Sequence, residues 1–104
     1  MGPTAQNSAR FIDKVAVVTG ASRGIGLAIA ARIVAEGGHV LITARKPEGL
    51  QAAVDELGGP EHASFVAGRA DDPEHRAEVF ATVAARFGRL DVLVNNTGIN
   101  PAFG

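Results

Sequence analysis

The stretch that decides the fold is Thr19-Gly20-Ala21-Ser22-Arg23-Gly24-Ile25-Gly26. It directly follows an apolar run at residues 15–18 and leads into a segment with helical spacing of apolar residues. A helix that begins straight after a strand presents unpaired backbone N–H groups and the positive end of its macrodipole, so it can hold an anion without a charged side chain. The stretch therefore predicts a phosphate-binding turn between a strand and a helix.

Each glycine of this stretch has a predicted role. Gly20 allows the strand to turn sharply, Gly24 lacks the Cβ that would keep phosphate oxygens away from the backbone, and Gly26 allows the helix to pack close to the strand. Their spacing is G-x-x-x-G-x-G, which differs from the commoner G-x-G-x-x-G dinucleotide motif. The alternative is an ordinary strand-to-helix turn in which the glycines serve packing alone.

The composition is that of a globular domain with one core. The chain has 104 residues, of which 46% are hydrophobic and 20% are charged, as is usual for folded soluble proteins. Ten basic and eleven acidic residues give a net charge of −1, so we expect no nucleic-acid or membrane partner. The chain has no cysteine, which fits a reducing compartment, and we expect a cytoplasmic location. The histidines are not at metal-ligand spacing, and no metal site is predicted.

Four apolar, β-branched runs alternate with helical segments along the chain. The strands are predicted near residues 15–18, 39–43, 64–67 and 90–94, with glycine and proline signals bounding the helices between them. This alternation predicts a doubly wound, Rossmann-like α/β fold whose four parallel strands lie in the order 3-2-1-4 and are buried on both faces. Residues 1–10 are expected to form a flexible leader, and residues 11–104 the dinucleotide-binding half-domain.

Apolar spacing also predicts which face of each helix is buried. We expect three buried faces, formed in turn by Ile25, Ala28, Ile29 and Ile33, by Leu50, Ala53, Val54 and Leu57, and by Phe80, Val83, Ala84 and Phe87. Asp72 is predicted to cap the third helix, and Gly88 to end it.

The end of the second strand predicts the type of cofactor. An NAD-selective site usually has Asp or Glu there to bind the ribose 2′-hydroxyl, but this chain has Ala44-Arg45-Lys46, with Arg23 as a further cation in the glycine stretch. Guanidinium groups bind phosphate oxygens well, so we predict NADP(H) in preference to NAD(H). The alternative is a solvated loop whose cations bind nothing.

Together these residues resemble the N-terminal half of a classical short-chain dehydrogenase/reductase. That family has the glycine motif T-G-x-x-x-G-x-G, and its fourth strand ends in N-N-A-G, where this chain has Asn95-Asn96-Thr97-Gly98. The resemblance covers residues 11–98. It implies that the pyrophosphate and adenosine lie among Gly20, Ser22, Arg23, Gly24, Ile25 and Gly26, that Arg45 takes the 2′-phosphate, and that Asn96, Thr97 and Gly98 lie beside the adenosine ribose. Asn95 is expected to brace neighbouring strands.

Two positions depart from the family pattern. Where an Asp commonly follows the third strand and contacts adenine, this chain has Arg69 followed by Ala70. The resemblance therefore leaves the adenine contact to backbone atoms near Ala70, and Arg69 is expected to be an exposed loop charge. The third residue of N-N-A-G is Thr97, which adds a hydroxyl group where the family has a methyl group. Neither departure removes the predicted site.

The sequence contains no candidate for the catalytic residues that the resemblance implies. The family uses a Ser and a Y-x-x-x-K pair after the fourth strand, where Tyr acts as the general acid. This chain has no tyrosine, and its lysines and serines, Lys14, Lys46, Ser8, Ser22 and Ser64, all precede that strand. We therefore expect a truncated chain. Two functions stay open: the NADP(H)-binding part of an oxidoreductase that acts on a carbonyl or alcohol substrate, and a non-catalytic nucleotide-binding or interaction fragment.

In such a chain the fourth strand is an edge strand. Val92, Leu93 and Val94 would present apolar side chains and free backbone groups at the edge of the sheet. We therefore expect marginal stability, self-association through this strand, and weak binding of NADPH.

Overall fold

The computed structural model describes residues 10–96, in which strands and helices alternate. The strands are β1 (Val15–Thr19), β2 (His39–Ala44), β3 (Ala63–Ala67) and β4 (Val92–Val94). The helices are α1 (Gly24–Ala35), α2 (Pro47–Glu56) and α3 (Pro73–Phe87). The strands pair in parallel in the order β3-β2-β1-β4, which confirms the predicted doubly wound sheet. Of the predicted leader, residues 1–9 lie outside the described residues, and Arg10 forms an ion pair with the buried Glu36.

The central strand β1 contributes to two hydrophobic cores. Ala16 and Val18 belong to the core that includes Leu50 of α2, whereas Val17 packs in the core that includes Val79 of α3. Because successive strand residues point to opposite faces of a sheet, α1 and α2 cover one face and α3 covers the other. β1 and β2 are buried along nearly their whole length, as predicted.

The predicted buried face of the second helix and the predicted end signals of α3 are confirmed. The expected residues of α2, Leu50, Ala53, Val54 and Leu57, are all buried. The Asp72 side chain accepts a hydrogen bond of 2.9 Å from the Glu74 N–H and so caps α3. Gly88 ends α3 in the left-handed conformation, with φ of 71°, which glycine adopts without steric cost.

The predicted buried face of α1 is wrong in part. Ile33 is buried and Ile29 packs against the core, but Ala28 is exposed and Ile25 is 68% exposed. The buried positions of α1 are Gly26, Ala30 and Ile33. The helix turns this face inward because its first turn lies so close to β1 that only a residue without a side chain fits there.

The predicted buried face of α3 is also wrong in part. Val83 is buried and Phe87 packs against the core, but Ala84 is exposed and Phe80 is 43% exposed. The buried series is His75, Val79 and Val83, one helical turn apart on the face towards β3. Phe80 instead lines a cleft of about 440 Å³ beside β4.

β4 is an edge strand, as predicted, but it is shorter than the predicted strand. It pairs with β1 from Val92 onwards, and Leu93 is 53% exposed, so the prediction of burial on both faces is wrong for this strand. Just before these pairs, Asp91 is bonded to Val15 in both directions: the Asp91 N–H donates to the Val15 carbonyl at 2.9 Å, and the Asp91 carboxylate accepts from the Val15 N–H at 2.8 Å.

Candidate functional site

The carboxyl ends of β1, β2 and β3 open into a groove of about 970 Å³. We call it the edge groove. Its lining comes from the turn after β1, the end of β2 with the first turn of α2, and the loop after β3, namely Gly20, Ser22, Arg23, Thr43, Ala44, Arg45, Lys46, Glu48, Gly49, Gly68 and Ala70. Open α/β sheets bind ligands outside the carboxyl ends of their strands, so the groove lies where this fold places a ligand.

The turn between β1 and α1 is held tightly against the sheet. Gly20 has a φ of 62°, the left-handed conformation that allows the sharp turn. The Ala21 N–H then donates a hydrogen bond of 3.0 Å to the Thr43 carbonyl of β2. A Cβ at Gly26 would lie 2.5 Å from the Gly20 carbonyl oxygen, so Gly26 is the close-packing glycine that the sequence predicted.

The N-terminus of α1 is free to interact with an anion. Arg23 precedes the helix in an extended conformation, and within residues 10–96 no side chain caps the helix there. A Cβ built at Gly24 would have no heavy atom of the described chain within 4 Å. The first-turn N–H groups of a helix need partners, and here they adjoin open space beside the edge groove.

The end of β4 is tied to the glycine turn through the Thr19 hydroxyl group. Thr19 Oγ1 lies 3.3 Å from the Val94 carbonyl oxygen and 3.2 Å from Asn95 Oδ1, and it accepts a hydrogen bond of 2.8 Å from the Asn96 N–H. The Asn96 Nδ2 group donates to the Gly20 carbonyl at 3.2 Å. Asn95 thus contacts the end of β1, as predicted for a brace, and Asn96 is bonded to the glycine turn. The bridging role of Thr19 was not predicted, although Thr19 belongs to the quoted motif.

The end of β2 brings positive charge to the edge groove. Arg45 and Lys46 are exposed and line it together with Arg23. Glu48, in the first turn of α2, contributes a carboxylate to the same lining, which the sequence reading did not single out. The described lining therefore includes three cations and one anion, as expected for a site that takes a ligand of strong negative charge.

The loop after β3 contains an exposed ion pair at the rim of the groove. Arg69 donates two hydrogen bonds to the Asp71 carboxylate, from Nε at 3.0 Å and from the terminal nitrogen at 2.9 Å. We call this pair the Arg69–Asp71 fork. The hydrogen bonds and charge of Arg69 hold the pKa of Asp71 below its usual value, and the positive charge of Arg45 lowers the pKa of Asp71 further. Arg69 is exposed, as predicted, while its neighbour Ala70 lines the groove.

The structure brings together most of the predicted site residues. Gly20, Ser22, Arg23, Arg45 and Ala70 line the edge groove. The others lie beside it in the first turn of α1 or at the end of β4, namely Gly24, Ile25, Gly26 and Asn96. Thr97 and Gly98 lie outside the described residues, so their predicted role stays a prediction.

This sheet and groove define a Rossmann-like α/β domain. The sequence matches the short chain dehydrogenase family over residues 14–103, so the chain belongs to the short-chain dehydrogenase/reductase family.

The similar proteins are all considerably longer than this chain. It is 40% identical over 100 residues to dehydrogenase/reductase SDR family member 4 of Caenorhabditis elegans, covering 94% of this chain and 38% of that protein. It is 44% identical over 89 residues to the 3-oxoacyl-(acyl-carrier-protein) reductase FabG of Escherichia coli, covering 86% and 36%. The crystal structure of L-sorbose reductase from Gluconobacter frateurii, complexed with NADPH and L-sorbose, matches with a TM-score of 0.75 and 37% identity, covering 88% and 36%.

Two structural features are absent from residues 10–96. Among them, no helix is both long and apolar enough to cross a membrane. Nor do three or more His, Asp or Glu side chains in this part of the chain come together in a way that could hold a metal ion.

Proposed function

We propose that this chain forms the NADP(H)-binding part of a short-chain oxidoreductase, which transfers hydride between NADP(H) and a carbonyl or alcohol substrate in the cytoplasm. The observation that carries the proposal is that Arg45 and Lys46 line the edge groove together with Arg23. Arg45 and Lys46 follow the second strand, where an NAD-selective site would usually offer a carboxylate to the ribose.

The preference for NADP(H) follows from this charge distribution. NADP(H) differs from NAD(H) by a 2′-phosphate, and a planar guanidinium group can donate two parallel hydrogen bonds to phosphate oxygens. Arg45 follows β2 directly and lines the groove, so it is our candidate for this contact. Lys46 and Arg23 add two further positive charges to the lining, which exceed the single negative charge of Glu48 there.

The glycine turn has the properties needed for the pyrophosphate. Its helix lacks a side-chain cap and the space at Gly24 is open, so backbone N–H groups of the first turn can donate to phosphate oxygens. The Asn96 side chain donates a hydrogen bond to the Gly20 carbonyl and so fixes the turn in the absence of the cofactor. When bound, the nicotinamide ring of the cofactor supplies or accepts the hydride; the residues described above bind and orient the opposite end of the molecule.

The whole protein's reaction is part of the proposal. The chain spans about 36% to 38% of the length of the relatives named above, and the NADPH in the sorbose reductase structure supports NADP(H) as the cofactor. A cytoplasmic location is supported by the cysteine-free sequence.

The test is a measurement of the dissociation constants of NADPH and NADH by calorimetry, for the wild-type chain and for the double variant Ala44→Asp/Arg45→Ile. A charge-assisted contact to the 2′-phosphate predicts that the wild type binds NADPH about tenfold to a hundredfold more tightly than NADH, and that the variant loses this preference.

The matched control is Arg89→Ala, which removes one arginine before the amino end of β4. There Arg89 is bonded to Asp91, which in turn accepts the hydrogen bond from the Val15 N–H. It should keep the preference for NADPH. Equal binding of the two dinucleotides by the wild type, or an unchanged preference in the double variant, would refute the proposal.

A further inference from the structure

The Arg69–Asp71 fork stands beside the residue that we assign to the 2′-phosphate. Ala44 of β2 pairs with Ala67 of β3, and the Gly68 N–H donates a hydrogen bond of 2.9 Å to the Ala44 carbonyl. Because the two strands leave the sheet side by side, Arg45 and the loop that begins at Gly68 emerge together at the same edge. The charge of Arg45 reaches the Asp71 carboxylate there.

Asp71 is therefore a potential competitor for Arg45. A guanidinium group pairs equally well with a carboxylate and with a phosphate, because both offer two oxygens at the right spacing. An Asp71 carboxylate without its own partner would attract Arg45 and would repel a dianionic 2′-phosphate. In the structure both Asp71 oxygens instead accept hydrogen bonds from Arg69.

The neighbouring carboxylate of this loop is engaged elsewhere. Asp72 accepts the hydrogen bond from the Glu74 N–H as the cap of α3. The other carboxylate of this loop is Asp71, whose two oxygens are held by Arg69.

We infer that Arg69 is a positioning residue for cofactor specificity: by holding Asp71 in a two-bond fork, it leaves Arg45 available to the 2′-phosphate of NADP(H). The inference rests on the proposed function and adds to it a residue that does not touch the cofactor. Arg69 itself does not line the edge groove, whereas its neighbours Gly68 and Ala70 do, so its effect passes through Asp71.

The experiment is a double-mutant cycle on the full chain with four proteins: the wild type, Arg69→Ala, Asp71→Asn and the double variant. Dissociation constants for NADPH and NADH are measured for each by calorimetry. The Arg69→Ala variant should bind NADPH about three- to fivefold more weakly, as expected for one exposed ion pair, with less than about a twofold change for NADH. The double variant should regain the wild-type affinity for NADPH, because the competing carboxylate is gone.

The matched control is again Arg89→Ala. Arg89 and Asp91 are also two residues apart in the chain and also form two hydrogen bonds, of 2.9 Å and 2.8 Å. They differ from the Arg69–Asp71 fork in lying at the amino end of β4. Arg89→Ala changes the net charge by the same amount as Arg69→Ala and should leave the ratio of the two affinities unchanged. The loss caused by Arg69→Ala should also shrink as the salt concentration rises from about 20 mM to about 300 mM, because exposed charges are screened.

Each other outcome counts against the inference. If the ratio of NADPH to NADH affinity is the same in Arg69→Ala as in the wild type, Arg69 has no role in specificity. If the double variant stays as weak as Arg69→Ala, Arg69 contacts the phosphate directly and the role through Asp71 is refuted. A wild type without preference for NADPH would refute the proposed function together with this inference, whereas a wild-type preference whose size is unchanged in Arg69→Ala refutes the inference alone.

Discussion

Replacing Gly26 with alanine tests the geometry on which the glycine turn depends. Gly26 lies in the first turn of α1, and its missing side chain allows the helix to approach the end of β1. A Cβ at this position would lie 2.5 Å from the Gly20 carbonyl oxygen, 2.9 Å from Asn96 Nδ2 and 3.0 Å from the Ala21 Cα. Two of these three atoms belong to the backbone, so the contact cannot be relieved by a side-chain rotation.

The expected change in stability is the sum of three effects. Overpacking of this kind costs roughly 1–3 kcal/mol. Displacing Asn96 breaks its hydrogen bond to the Gly20 carbonyl, which costs about 1 kcal/mol. Alanine has a better helix propensity than glycine, which offsets about 1 kcal/mol. Gly26→Ala should therefore lower the free energy of unfolding by roughly 1–3 kcal/mol.

The assay is urea denaturation of the wild type and two variants, Gly26→Ala and Gly49→Ala. Gly49 is the matched control because it is also a helical glycine, but a Cβ there would meet Ser22 Cβ at 3.4 Å, an ordinary contact. Gly49→Ala should raise the free energy of unfolding by up to about 1 kcal/mol, so the two substitutions should have opposite signs.

If Gly26→Ala proves as stable as the wild type, or more stable, the turn between β1 and α1 does not have the close packing described above. The role of Gly26 as the glycine that sets the distance from helix to strand would then be wrong.

Two further predictions concern stability against pH and self-association. Burial lowers the pKa of His39 from its ordinary value of 6.5, and the charge of Arg86 lowers it as well. The unfolded chain therefore binds this proton more readily than the folded chain. The contribution of His39 to the free energy of unfolding should be fully present above about pH 6.5 and should decrease as the pH drops below that value. Urea midpoints measured between about pH 7.5 and pH 5.5 should show this slope, and the variant His39→Gln should show a smaller one; equal slopes would contradict the assignment. Leu93 is 53% exposed on the edge strand β4, so we predict that the wild-type chain self-associates in a sedimentation experiment. Leu93→Lys should shift the chain towards monomer, because charge on an edge strand opposes pairing with another strand. Identical sedimentation of the two proteins would argue against an interface at β4.

The pattern of residues along the chain was sufficient to predict the architecture. The apolar runs and the glycine stretch that follows the first of them predicted parallel strands in the order 3-2-1-4, because a helical segment between two strands of one sheet forms the crossover that makes them parallel. Local signals also placed the cap at Asp72 and the helix end at Gly88 correctly. These features depend on backbone geometry and neighbouring residues, which a sequence displays directly.

The tertiary structure alone decided the faces of the helices and the arrangement of charges around the groove. Apolar spacing predicts that a helix has a buried face, but the rotation of α1 was set by the need to bring Gly26 against Gly20, which left Ile25 exposed. The Arg69–Asp71 fork is local, but the charge of Arg45 acts on Asp71 because β2 and β3 end side by side. Residues far apart in sequence become neighbours only when strands pair, so a pattern along the chain cannot show which charges will meet.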